Sequence, residues 1–387
     1  MIQREIATEL LESAGEYPVV TVFGPRQSGK TTLAQMTFPE KPYYSLEDPD
    51  LRLAADMDPR GFLAGLPEGG ILDEIQRLPQ LLSYIQGIVD REKKAGMFIL
   101  TGSHQPELHQ SVSQTLAGRT ALLTLLPFSL AELRHYTKTL DPFVLIVKGA
   151  YPRIYEEDIK PFRFFNGYLQ TYVERDVRSL VNLKDLRAFQ QFFTLLAGRI
   201  GQVINYTSLS NDVGVSSTTI KTWINALKTS FVVFELPPFF ENIRKRVIKS
   251  PKIYFTDVGL ASYLLGIETP DQVYRDPLRG GLYENLVILE IRKARLNSGK
   301  RPELFFYRDS HGNEVDLVIK QGQKLRPVEI KSAATFTPGF IKDIERFRNV
   351  VGNRCARGIV LYNGHEQYTL KGTKVLNPLI HDGWNDP

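Results

Sequence analysis

The stretch "VVTVFGPRQSGKTTLAQ", Val19 to Gln35, decides how the first third of the chain is read. Val19 to Phe23 is a short β-branched run, the pattern of a strand buried on both faces of a parallel sheet. Gly24 to Thr31 then spell G-x-x-x-x-G-K-T, and "TLAQMTF" continues as a helix. Strand, glycine loop and helix together are the context in which this motif cradles phosphates. Backbone N–H groups turn inward around the anion at a helix N-terminus. Gly24, Pro25, Arg26, Gln27, Ser28, Gly29, Lys30, Thr31 and Thr32 are therefore the candidate ATP-binding residues. Lys30 is expected to reach β- and γ-phosphate oxygens, and the Thr31 hydroxyl to hold Mg²⁺.

Downstream, "GGILDEIQRLPQLL" (residues 69–82) closes a short apolar strand with Asp73 and Glu74. Ligands of open α/β sheets bind at carboxyl ends of strands. Asp73 is thus the candidate Mg²⁺ partner, and Glu74 the group that polarises the attacking water. A further apolar strand in "MFILTGSHQP" (residues 97–106) ends at Ser103, a candidate γ-phosphate sensor with His104 and Gln105 in reserve. Arg119, in "TLAGRTALLTLLPFSLAEL", is a candidate arginine finger for a neighbouring subunit.

At 387 residues the chain exceeds what one hydrophobic core supports, so two or three domains are expected. A charged share of 24% with both signs present argues against disorder. The net charge of +5 permits a nucleic-acid partner without requiring one. One cysteine, Cys355, cannot form an internal disulfide, and no Cys/His cluster has zinc spacing, which fits a reducing cytoplasm. The start "MIQREIATELLESAGEYP" reads as a charged amphipathic helix without a signal peptide's apolar run, and "ALLTLLPFSLAEL" is too short to span a bilayer. A soluble cytoplasmic protein with no membrane partner is the expectation.

Taken in order, "GPRQSGKTTL", "ILDEIQ", "LTGSHQ", "LAGRTALLTLLPFSLAEL" and "YLQTYVERDV" resemble a large prokaryotic family. Its members join an AAA-type P-loop ATPase domain to a C-terminal domain of unassigned function. The resemblance runs over nearly the whole chain. It implies an AAA-like fold, ATP hydrolysis with Mg²⁺ through Lys30, Thr31, Asp73 and Glu74, and assembly into a ring or dimer.

From Tyr151 the pattern turns helical; Phe164, Phe165, Tyr168, Leu169 and Tyr172 mark one apolar face of a lid, with Arg175 a candidate to approach the phosphates. In "NYTSLSNDVGVSSTTIKTWINALKTSFVVFELPPF" (residues 205–239) Gly214 supplies a turn and Ser216 caps a second helix, a helix-turn-helix pattern. The strands "FVVFEL" and "KIYFTD" bracket a basic run and suggest a winged helix. Ser217, Thr218, Lys221 and Thr222 would face a DNA groove, with Arg244, Lys245, Arg246 and Lys249 at phosphates.

In the last third, Leu304–Arg308, Val315–Ile319 and Arg326–Lys331 read as three strands. A hairpin centred between Gly322 and Gln323 puts Ile319 opposite Arg326 and Asp316 opposite Glu329. Two facing acids repel, and a divalent cation between them supplies a reason for the pair. Lys331 shares a face with Glu329, and Glu284 on the preceding helix is a further candidate ligand. Asp316 followed by Glu329-x-Lys331 resembles the PD-(D/E)XK nuclease core, although "GNEV" rather than a proline precedes Asp316. The reading is an α/β chain: a P-loop AAA-type ATPase core over 1–150, a helical lid over 151–204, a winged-helix segment over 205–257, and a restriction-endonuclease-like α/β domain over 258–387. Its nucleotide state would control a DNA-binding half that either cleaves or only binds nucleic acid or protein.

Overall fold

Five strands pair in parallel: β1 (Val19–Gly24), β2 (Tyr43–Ser45), β3 (Gly70–Asp73), β4 (Phe98–Ser103) and β5 (Thr120–Thr124), in the order β2-β3-β4-β1-β5. The computed structural model describes residues 2–103, 112, 114–173, 180, 185–240, 250–381 and 383–384. Every residue of β1, β3 and β4 is buried, which is why these strands read as unbroken apolar runs. Side chains alternate between two cores. Val20 and Val22 pack with Leu10, Leu33 and Ala34 from the helices Ala7–Glu16 and Lys30–Thr37, while Val19 and Phe23 pack with Leu81, Ile85 and Val89 from Leu81–Glu92. Register brings Gly24 beside Ser103 and Ser45 beside Asp73, so the polar strand ends meet along one edge.

A helical layer follows. Its helix-turn-helix consists of Tyr206–Val213, the left-handed Gly214, and Ser217–Thr229, with the Ser216 hydroxyl accepting from the Thr219 N–H as the cap. β6 (Val233–Leu236) and β7 (Lys252–Phe255) then pair antiparallel. The helices Val258–Leu264 and Pro270–Arg275, which the sequence reading places with the C-terminal domain, pack on Pro142–Lys148 in this layer.

The last sheet is mixed: β8 (Leu304–Arg308), β9 (Glu314–Gln321), β10 (Lys324–Lys331), β11 (Ile359–Tyr362), β12 (Tyr368–Leu370) and β13 (Thr373–Leu376), in the order β12-β13-β11-β10-β9-β8. β9 and β10 form the expected hairpin, with Ile319 opposite Arg326 and Leu317 opposite Val328. The helix Arg279–Asn297 joins this sheet to the rest and is buried on nearly every side, including at Glu290, Lys293 and Arg295. Its Asn285 side chain accepts from the Phe255 N–H (2.7 Å) and donates to the Phe255 carbonyl (2.9 Å). One apolar core runs from Leu126 through the helical layer to Trp384. Among the described residues no helix is long and apolar enough to cross a membrane.

Candidate functional site

β1 ends at Gly24 and the next helix opens at Lys30, so the loop between them must turn sharply. Glycine is required at both ends. A Cβ on Gly24 would lie 2.1 Å from the Leu125 carbonyl oxygen, and Gly29 sits in the left-handed region with φ +91°. The Lys30 ammonium is buried and donates to the carbonyls of Pro25 (2.9 Å) and Gly24 (3.2 Å). The Thr31 hydroxyl lies 3.0 Å from both oxygens of the Asp73 carboxylate, which also accepts from the Tyr43 hydroxyl (3.0 Å) and from Thr101. Burial, and then the Asp73 charge, push the Tyr43 phenol up to about 12.

Glu74 follows at φ +56°, a left-handed conformation uncommon outside glycine and asparagine. Its carboxylate accepts from the Ser103 hydroxyl (3.0 Å) and from the Gln76 amide, which also reaches Ser103 (3.1 Å). A cleft of about 640 Å³ opens beside Lys30, Thr31 and Glu74, lined also by Arg4, Gln27 and Arg153 among others. Thr31 and Asp73 offer the oxygen donors that would hold Mg²⁺, which needs few protein ligands when phosphates supply the rest. From the helical layer, Tyr172 accepts from the Gln27 amide (3.0 Å), and its ring lies under Arg26.

A second polar cluster lies at the start of β9 and the end of β10. Lys331 Nζ is 2.9 Å from Asp316 Oδ2 and 2.6 Å from Glu329 Oε2, and Asp316 also accepts from the Ile330 N–H. Glu329 Oε1 is buried and makes no hydrogen bond. Burial, reinforced by the Asp316 charge, raises the Glu329 carboxyl well above the usual range. Burial opposes ionisation of Asp316, yet the Lys331 and Lys252 charges outweigh it and hold that carboxyl below its ordinary value. Glu284 is engaged elsewhere, accepting from Lys252 (3.1 Å) and Tyr254, while Lys252 also meets Glu314 (2.6 Å). Among the described residues no group of three or more His, Cys, Asp or Glu side chains is arranged to hold a metal ion. Of the expected ligands, Asp316 and Glu329 meet at Lys331, and Glu284 lies against Lys252 and Tyr254. Lysine ammonium groups take the central positions, leaving Asp316 and Glu329 as a two-carboxylate pair with one unpartnered oxygen.

Residues 16–134 match the AAA domain, residues 142–271 a domain of unknown function (DUF8612), and residues 279–380 another domain of unknown function (DUF4143). Uncharacterized proteins of Mycobacterium tuberculosis and Mycobacterium bovis are each 31% identical over 384 residues, covering 97% of this chain and 83% of theirs. The chain belongs to their family of AAA-type P-loop ATPases. Among solved structures it is similar to a Walker-type ATPase of Pyrococcus abyssi (15% identity, TM-score 0.41, covering 67% of this chain and 94% of that one). It is also similar to AMPPCP-bound DnaA from Aquifex aeolicus (17% identity, TM-score 0.31, covering 58% of this chain and 86% of that one).

In this AAA-type ATPase the glycine loop, Asp73, Glu74 and Ser103 meet at the polar ends of the parallel strands. Arg119 does not join them. It stands at the amino end of β5, away from the glycine loop, paired with Asp90 (2.9 Å). Thr218, Lys221 and Thr222 are exposed on the second helix of the helix-turn-helix, and Ser217 is half-buried against Ser210. His104, Gln105, Arg175, Arg244, Lys245, Arg246 and Lys249 lie outside the described residues. Sequence reasoning passed over Gln76, Tyr43 and Arg4. Gln76 lay within reach, two residues past Glu74 in "ILDEIQ". Arg4 carried no local signal.

Proposed function

We propose that this AAA-type ATPase hydrolyses ATP with Mg²⁺, and that its nucleotide state controls a DNA-contacting, nuclease-like C-terminal half. One observation carries the control: the helix Arg279–Asn297 serves both sites. Glu290 and Lys293 hold the loop beside the glycine cradle, and Glu284 stands close enough to Asp316 for their charges to interact. In the cleft, Lys30 and the loop N–H groups bind the phosphates, and Thr31 with Asp73 hold the cation. Bound there, the ion supplies Lewis-acid stabilisation of charge on the phosphoryl oxygens. Glu74 orients and polarises the attacking water, and Ser103 with Gln76 hold its carboxylate. Ring or dimer assembly belongs to the same proposal, with Arg119 exchanging Asp90 for a neighbour's phosphate.

Purified protein is expected to release phosphate from ATP, and Lys30→Ala to stop it; equal turnover in the variant overturns the ATPase reading. A second reading, a C-terminal domain that binds without cutting, is favoured by the Lys331 ammonium already bridging Asp316 and Glu329. Cleavage of duplex and single strands with Mg²⁺ or Mn²⁺, lost in Glu329→Ala, supports the nuclease. Salt-sensitive binding without cleavage supports the second reading.

A further inference from the structure

Arg4 precedes the first helix, yet it is buried and reaches three separate parts of the chain. Its guanidinium donates to the Ser28 carbonyl (2.7 Å), the Leu126 carbonyl (2.7 Å) and Glu132 Oε1 (2.9 Å), and it lies over the Phe128 ring. Ser28 belongs to the glycine cradle. The Ser28 carbonyl and the Gly29 N–H share one planar trans peptide, so they point in opposite directions. With the oxygen held on Arg4, the Gly29 N–H faces the opposite way, toward the side on which the nucleotide-binding reading puts a phosphate.

The same guanidinium ties the cradle to the C-terminal half. Glu132 also accepts from the Ser129 N–H (2.8 Å) and the Glu5 N–H (2.8 Å), closing a capping box. The adjacent Leu130 N–H donates to Glu290 Oε2 (2.7 Å), and Lys293 joins Glu290 Oε1 (2.7 Å) to the Phe128 carbonyl (2.6 Å). Glu132, Glu290 and Lys293 are each 2% exposed, so water does not loosen the array. We propose that Arg4 is a positioning residue of the nucleotide site, aiming the Gly29 N–H at the phosphates and bolting that peptide, through Glu132, to the helix Arg279–Asn297.

This inference rests on the nucleotide-binding reading of the cradle and deepens it. The test uses Arg4→Lys, which keeps the charge but loses the planar fork needed for three acceptors. Binding of the fluorescent analogue mant-ATP with Mg²⁺ is expected to weaken about ten- to a hundredfold, and the KM for ATP to rise more than kcat falls. A merely structural role would lower the melting temperature while leaving the folded protein's affinity unchanged, and that result overturns the proposal. Glu132→Gln is the second variant should Arg4→Lys fail to fold, with the same expected loss. Pairing Glu290→Gln with Lys293→Met removes both buried charges together. Combined with Arg4→Lys, its effect on mant-ATP affinity is expected to be less than additive; strictly additive losses overturn the link to the helix. Lys30→Ala separates the levels. If it too binds mant-ATP like the parent, the cradle reading fails; if it alone loses binding, only the Arg4 inference fails.

Discussion

Asp257 shows how much one buried acid governs in this chain. Its carboxylate accepts from the N–H groups of Ala150 (2.7 Å) and Gly259 (2.9 Å), pinning two segments that glycines bring into contact. Burial pushes its carboxyl up to about 6 despite those donors. The folded value lies above the ordinary 3.8, so the folded protein holds this proton more tightly than the unfolded chain does. Its stabilising contribution is complete below about pH 4 and is lost as the pH rises through about 6. Urea midpoints at pH 5 and 7.5 are expected to show wild type losing about 1 kcal/mol relative to Asp257→Asn over that interval. At this scale the sequence was legible where chemistry is local. Lys30, Thr31, Asp73 and Glu74 sit in short motifs, whereas Arg4 finds Glu132 across 128 positions and no motif announces such a pair.

Elements were legible where their periodicity was strong. The β9–β10 hairpin has the register expected, because the tight turn between Gln321 and Lys324 fixes which residues face each other. The helices Val258–Leu264 and Pro270–Arg275 were not placed by pattern, since what they pack on is remote in sequence. Asn285 illustrates the same gap. It is one of several polar residues on its helix, and only the fold reveals that its amide pairs with both backbone groups of Phe255 at the end of β7. Asn285→Ala would strand both a buried N–H and a buried carbonyl. Each costs about 1–3 kcal/mol, so a loss of about 2–6 kcal/mol is expected in equilibrium unfolding.

For the whole molecule, the helix Arg279–Asn297 makes the C-terminal half inseparable from what precedes it. Its buried face belongs to the core that runs from Leu126 to Trp384, so the gap between the matched regions 142–271 and 279–380 is no independent hinge. A chain cut after residue 278 is expected to expose that core and aggregate on size exclusion, while a cut that keeps residues 1–297 restores at least the helical layer. Four segments could be marked out along the sequence, but not this shared core, because apolar spacing reports that a face is covered without naming its partner.

The lysine lodged between Asp316 and Glu329 has a bearing on what that pair can hold. A tethered amine offsets the repulsion between the paired acids from within. A cation brought to this pair would have to compete with an occupant that can leave only as far as its own four-carbon leash allows.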